Sequence, residues 1–381
     1  MLRNTLTYSF LLAFSFLITG GCTKTRPEMV EIPDYIQFGA DSYTKVNRLI
    51  EDMAGHDFGV FAFRYNSDWN TYKSTGKPVS TSEFKAPTKV AYDEASRSWK
   101  YDGINDQSIQ PWIAGNRYSF FAYHPFGWNK ITPSDERNIG SPVITYTVPY
   151  EAGKETNTDD LRDVMRSSSK DLTSSTGVVN FHFTHCLSCL TVEAHNYDKV
   201  TDSSDESKDK SISDLKIYFT SKMYTTLTIP LDEDLTPTPG EISKDGDIFI
   251  FNIVGESTTI NVPAMVVPEG GKGSLETVDI SRDNNILIIP QRPEGPDGLM
   301  ETTSDNMGPL TGYISFTGKD GFKTGNPNVA DSEESLRFTS SKYFEAGKKL
   351  ALVINFTDDS VNISIIEPGD WTDKNQEITF E

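Results

Sequence analysis

Short apolar runs recur along most of this chain, each bounded by turn residues. "FGVFAFRY" (58–65), "RYSFFAYHPF" (117–126), "VITYTV" (143–148), "LKIYFT" (215–220), "DIFIFNIV" (247–254) and "TTINVPAMVVP" (258–268) come first. "NILIIP" (285–290), "GYISFTG" (312–318), "KLALVINF" (349–356) and "VNISII" (361–366) follow. They are rich in Ile, Val, Phe, Tyr and Thr, side chains that fit a pleated, half-buried surface, and Gly, Pro, Asn, Asp and Ser punctuate them. That spacing predicts antiparallel β-sandwiches rather than strand–helix–strand units. A chain of 381 residues exceeds one ordinary core, so two domains are expected. One stretch has a helical period instead. In "SYTKVNRLIEDMAG" (42–55), Val46, Leu49, Ile50 and Met53 recur at helical spacing, with Ser42 as a start signal and Gly55 as a stop. Segments 196–214 and 231–247 carry charge, Ser and Pro without apolar periodicity and are expected to be solvated loops. Their Asp residues do not follow the spacing of an EF-hand.

The N-terminus reads as an export signal. Arg3 precedes an uncharged apolar run (6–18) too short for a comfortable bilayer span, and "TGGC" (19–22) then places small residues before a cysteine. This resembles a lipobox, with Thr19 where Leu is usual. It predicts a signal peptide over 1–21 and a lipidated Cys22 as the first mature residue. The formal charge is -20, and -21 once residues 1–21 are removed, because they hold Arg3 and no acid. Such acidity repels nucleic acid and anionic headgroups and keeps an exported protein soluble.

The densest chemistry lies in "FHFTHCLSC" (181–189). On a strand, successive side chains alternate faces, so Phe181, Phe183, His185 and Leu187 share one face and His182, Thr184 and Cys186 the other. Cys186 and Cys189 then point apart unless a bulge near Ser188 intervenes, and no helix follows to support a redox dithiol. The expectation is a buried strand carrying two reduced cysteines, with no metal and no cofactor. The histidines are scattered, and no G-x-S-x-G, H-E-x-x-H or phosphate-cradling loop occurs. An enzyme is not expected. Trp69, Tyr72, Trp99, Tyr101, Trp112 and Trp128 crowd the N-terminal half. They serve either as core and edge filling or, in an alternative reading, as an exposed aromatic platform of a cell-surface glycan-binding lipoprotein.

"VVNFHFTHCLSCLTVEA" (178–194) is similar to the V-x-F-x-H-x-L-x-x-L-x-V strand of fimbrillin-like proteins, the type V pilus subunits of Bacteroidales. Other segments agree in the same order: "GGCTK" (20–24), "YIQFGADSYTK" (35–45), "HDFGVFAF" (56–63), "IAGNRYSFFAYHPF" (113–126), "DDLRDVM" (159–165), "NILIIPQ" (285–291), "FEAGKKLALVINF" (344–356) and Trp371. Leu350 departs from the family's aromatic after Gly-Lys. The resemblance implies an all-β protein with two tandem transthyretin-like antiparallel β-sandwich domains behind a lipoprotein signal peptide. In this chain the parts would be a signal peptide (1–21), a lipidated linker (22–34), an N-terminal sandwich (35–175) and a C-terminal sandwich (176–381).

It also implies a stalk or tip subunit of an adhesive fimbria at the outer membrane and cell surface. Its partners would be other fimbrial subunits, joined by strand donation after proteolysis removes the first strand, with the outer membrane held through Cys22 and a host or bacterial surface ligand beyond. Cleavage between Arg48 and Leu49 would free Tyr35, Ile36, Gln37 and Phe38, with Ile36 and Phe38 as the plugs of the groove. The donor would be Val361, Ile363 and Ile365, or Ile378 and Phe380, in the alternating C-terminal stretches.

Overall fold

The computed structural model describes residues 34–42, 53–74, 84, 87–134, 141–282, 285–291, 310–318, 323–324, 336–340, 342–357, 360–367 and 377–378. Its regular structure is nearly all strand, as expected, and the one α-helix among the described residues is Trp69–Ser74. A seven-stranded sheet runs, in spatial order, Gln37–Ser42, Val178–His185, Met165–Leu172, Arg117–His124, Phe58–Tyr65, Thr88–Asp93 and Ser98–Lys100. All neighbours are antiparallel except the first pair, which is parallel.

Strands Phe58–Tyr65 and Arg117–His124 lie at the middle of this sheet and are buried on both faces, which is why they read as unbroken apolar runs. Phe58, Val60, Phe120 and Ala122 face one core together with Phe38, Phe181 and Phe183. Phe61, Phe63, Phe121 and Tyr123 face the other, where Trp69, Ile144 and Tyr146 cover them.

That second core continues into the rest of the molecule. Ser188–Asn196 is the central strand of another sheet, flanked by parallel Lys349–Thr357 on one side and by Val278–Asp279 and Ile286–Ile288 on the other. Its Leu190, Val192 and Ala194 share a core with Ile217 of Lys210–Phe219, Phe251 of Phe249–Val254 and Ile314 of Leu310–Thr317, three strands of a facing sheet. Strand pairing crosses position 175 in both directions. Val178–His185 pairs with Gln37–Ser42 and Met165–Leu172, whereas Val143–Thr147 pairs with Thr226–Pro230 and Glu155–Asn157 with Phe249–Val254.

Several expectations need correction. The body of the helix expected over 42–55 lies at 43–52, outside the described residues; Ser42, expected to start it, closes a strand instead, and Gly55 sits in a turn at φ 81. The run at 258–268 is broken by Pro263 into Ile260–Val262 and Met265–Val266, because proline removes a ladder donor. Segment 231–247 is not wholly solvated: Leu231 and Asp232 are buried.

Candidate strand-exchange site

The first strand carries the alternation read from sequence. Ile36 is 0% and Phe38 4% exposed, while Tyr35 is 41% exposed. Phe38 stacks on Phe181 at 5.7 Å and meets Tyr101 at 5.2 Å and Phe120 at 5.6 Å edge-on. On one side Gln37 to Ser42 pair in register with Val178 to Phe183. On the other a second wall holds the strand's beginning. Ile36 N donates to Gln110 O at 2.8 Å, and Trp112 N donates to Asp34 O at 3.0 Å. Tyr101 ties the wall together: its hydroxyl donates to Ile36 O at 2.9 Å and accepts from Gln110 N at 3.0 Å. Burial pushes that phenol up to about 12, so it stays a donor across the physiological range. The strand thus lies at the end of its sheet, plugging a core with two side chains while its backbone is held from both flanks at its start.

The other expected participants are placed elsewhere. Val361, Ile363 and Ile365 lie on Ser360–Ile366, antiparallel to Lys349–Thr357 at the end of a different sheet, half-buried on the second core. Ile378 lies in Glu377–Ile378, which pairs with Gly273–Ser274. Neither strand is hydrogen-bonded to Gln37–Ser42. Cys22, Arg48, Leu49 and Phe380 lie outside the described residues.

In "FHFTHCLSC" the break comes at Cys186–Leu187, two residues before which the chain is still in the first sheet and after which it enters the next. Phe181, Phe183 and His185 are buried on one face and His182 is exposed, as alternation requires. Crossing between sheets buries Cys186, Leu187 and Cys189 together. Cys186 and Cys189 form no disulfide. His185 Nδ1 lies 2.6 Å from Asp163 Oδ2, a buried pair facing away from the chain's surface. Among the described residues no group of three or more His, Cys, Asp or Glu is placed to hold a metal ion. Burial pushes the Cys186 thiol up to about 12, leaving almost no thiolate. Iodoacetamide at pH 8 is therefore expected to leave Cys186 unmodified in the native chain and to alkylate it after unfolding in urea, read by peptide mass spectrometry. Rapid native alkylation would contradict its burial.

The six aromatic residues form no platform. Trp69, Tyr101 and Trp112 are buried, with Trp69 Nε1 donating to Asp232 at 3.2 Å and Trp112 Nε1 to Gly177 O at 3.2 Å. Half-buried Tyr72 stacks on Tyr65 at 4.7 Å, Trp99 lies on Phe58 at 5.0 Å, and Trp128 lies on Tyr146 at 5.9 Å.

A polar junction escaped the sequence reading altogether. Arg166 Nη1 donates to Leu235 O at 2.8 Å, and Glu233 Oε2 accepts from Ser168 N at 2.8 Å. Lys170 Nζ donates to Asp232 Oδ1 at 2.8 Å and also to Asp234 Oδ2. The loop after Thr226–Pro230 is thereby docked on Met165–Leu172, whose half beyond Arg166 is no longer paired with Val178–His185. The only local hint was apolar Leu231 beside Asp232 in an acidic run. Asp232→Asn keeps the shape and removes the charge facing Lys170. It is expected to cost about 2 kcal/mol, the value of a charge-assisted bond in a buried setting, measured by urea denaturation. A change below about 0.5 kcal/mol would show the junction to be energetically idle.

The chain matches the family model described as fimbrillin-like over residues 53–371. Among solved structures it is similar to a fimbrial protein from Bacteroides vulgatus at 19% identity, with 88% of this chain and 99% of that one covered and a TM-score of 0.53. It is also similar to a candidate cell adhesion protein from Bacteroides ovatus at 13% identity, covering 91% and 98% of the two chains with a TM-score of 0.49. A search of curated proteins returns no match. The first of these structures shares the overall all-β architecture, and the family model spans most of the chain. This chain belongs to the fimbrillin-like family.

Proposed function

We propose that this protein is a subunit of a cell-surface fimbria, stalk or tip, that assembles by strand donation and supports adhesion. The observation that carries the reading is the first strand. Ile36 and Phe38 fill a core from the end of a sheet, on a segment joined to the rest of the chain through residues 43–52. Removing it would leave the backbone of Val178–Phe183 unpaired along one edge and open an apolar slot lined by Phe181, Phe120 and Tyr101. A strand from a neighbouring subunit satisfies both. The strands of the C-terminal region, 360–366 and 377–378, are the proposed donors, acting on another molecule since neither pairs with the first strand of its own.

In this reading the precursor is an outer-membrane lipoprotein anchored through Cys22, and its two tandem sandwich domains are of transthyretin type. Catalysis has no part in it: the buried histidines and cysteines serve packing. The test is direct. Chain 23–381 treated with an arginine-specific protease should nick once and then form ladders in gels run without boiling. A chain that resists nicking and stays monomeric would count against a polymerising subunit.

A further inference from the structure

Among the described residues four large apolar side chains are exposed, and three of them are Tyr35 at 41%, Ile109 at 45% and Ile113 at 40%. Isolated exposed apolar residues are ordinary, but these three are neighbours. Tyr35 bridges Pro111 in antiparallel pairing, and the flanking bonds join Ile36 to Gln110 and Asp34 to Trp112. Along 109–113 the side chains alternate. Trp112 turns into the core, while Ile109, Pro111 and Ile113 face outward beside Tyr35, with exposed Ala114 at the rim. Residues 107–116 carry no charged side chain, in a protein whose formal charge is -20. The patch therefore differs in kind from the acidic surface around it.

Its position says what covers it. The chain enters the described structure at Asp34, at the edge of this patch. The lipid anchor proposed at Cys22 is joined to Asp34 by a linker that spans roughly 40 Å fully extended. We infer that this patch is the seat of the precursor on the lipid surface, resting at headgroup depth while the anchor is in place; the inference rests on the anchor proposed above. An uncharged patch with a tyrosine at its margin suits that zone, because an amphipathic ring places its body in the apolar layer and its hydroxyl in water. So small a patch binds lipid weakly alone. Tethering makes the contact intramolecular and raises its effective concentration enough to hold it. The seat would also orient the first strand, with its beginning at Tyr35 toward the membrane and its end at Ser42 away from it.

The test uses the full-length lipidated protein in vesicles of phosphatidylcholine and phosphatidylethanolamine. An environment-sensitive fluorophore is placed on Ile113→Cys, and in a separate preparation on Asp205→Cys in an exposed turn; the buried Cys186 and Cys189 are shielded from labelling. Sedimentation with vesicles reports the anchor, and quenching by nitroxide-bearing lipids reports the seat. We expect quenching at position 113 several-fold greater than at 205, reduced by adding Ile109→Ser. Protein that sediments with vesicles but is quenched equally at both positions, or at neither, overturns the seat while leaving the anchor standing. Protein that stays in solution overturns the anchor and the seat with it. A spectral shift at 113 that appears with rising concentration of lipid-free Cys22→Ser protein would assign the patch to a second copy of this chain instead.

Discussion

Phe38→Ala is expected to destabilise the chain by about 4 kcal/mol, the range for deleting a buried ring from a packed core. Phe38 touches Phe181, Phe120, Tyr101 and Phe84, all on the rigid sheet or its cover, so little can move in to fill the void. The loss has a second consequence. The first strand is held by a parallel ladder and a few flanking bonds, and without its main plug its local detachment becomes cheaper than global unfolding. Nicking of the 43–52 link by an arginine-specific protease should then accelerate under conditions where the rest of the fold persists. Tyr35→Ala is the control, since that residue is 41% exposed and fills neither core, and should change stability by less than about 1 kcal/mol. Equal and small losses for both variants, by urea denaturation, would mean that Phe38 is not a plug.

Acid is expected to weaken the fold through His124. Its ring is buried, with Nδ1 2.8 Å from Asp57 O. Burial is the main cause that lowers its pKa from 6.5 to about 4; the Asp57 carbonyl opposes this, nearby His56 and Arg162 add to it, and Asp163 opposes it. The folded state therefore binds fewer protons than the unfolded state between these values. The contribution is fully present above pH 6.5 and is lost as pH falls through about 4. It amounts to about 3 kcal/mol over that window, by the linkage of pKa shift to stability. His124→Asn keeps a donor toward Asp57 O but cannot titrate. Its stability at neutral pH falls, yet its slope between pH 6.5 and 4 should be shallower than that of the wild type by that amount. Parallel stability–pH curves for the two proteins would contradict this assignment.

Particular elements show what sequence patterns carry and what they do not. The runs at 58–65, 117–124 and 349–356 were legible because strands buried on both faces are apolar throughout. The first strand was legible for the opposite reason: one face is buried and one is open, so Ile36 and Phe38 stand out against Gln37. "MRSSSKDL" (165–172) was not legible, although it lies inside the first sheet. Its Ser168 and Lys170 side chains bond Glu233 and Asp232, more than sixty residues away, and no local pattern records such a partner. The second wall of the groove escaped notice likewise, since Gln110 and Tyr101 acquire their roles only when the chain folds back on residues 34–36. The FHFTHCLSC break fell at Cys186–Leu187 rather than at Ser188, because the strand does not bulge within one sheet but ends there and begins again in another.

If subunits join by strand donation, the first strand leaves when the fibre forms. The measurement that tests it is the N-terminal sequence and intact mass of subunits recovered from fibres grown from chain 23–381 with an arginine-specific protease. Leu49 is expected as the first residue, with Tyr35 to Phe38 absent from the fibre. Fibres whose subunits still carry residues 35–39 would contradict it.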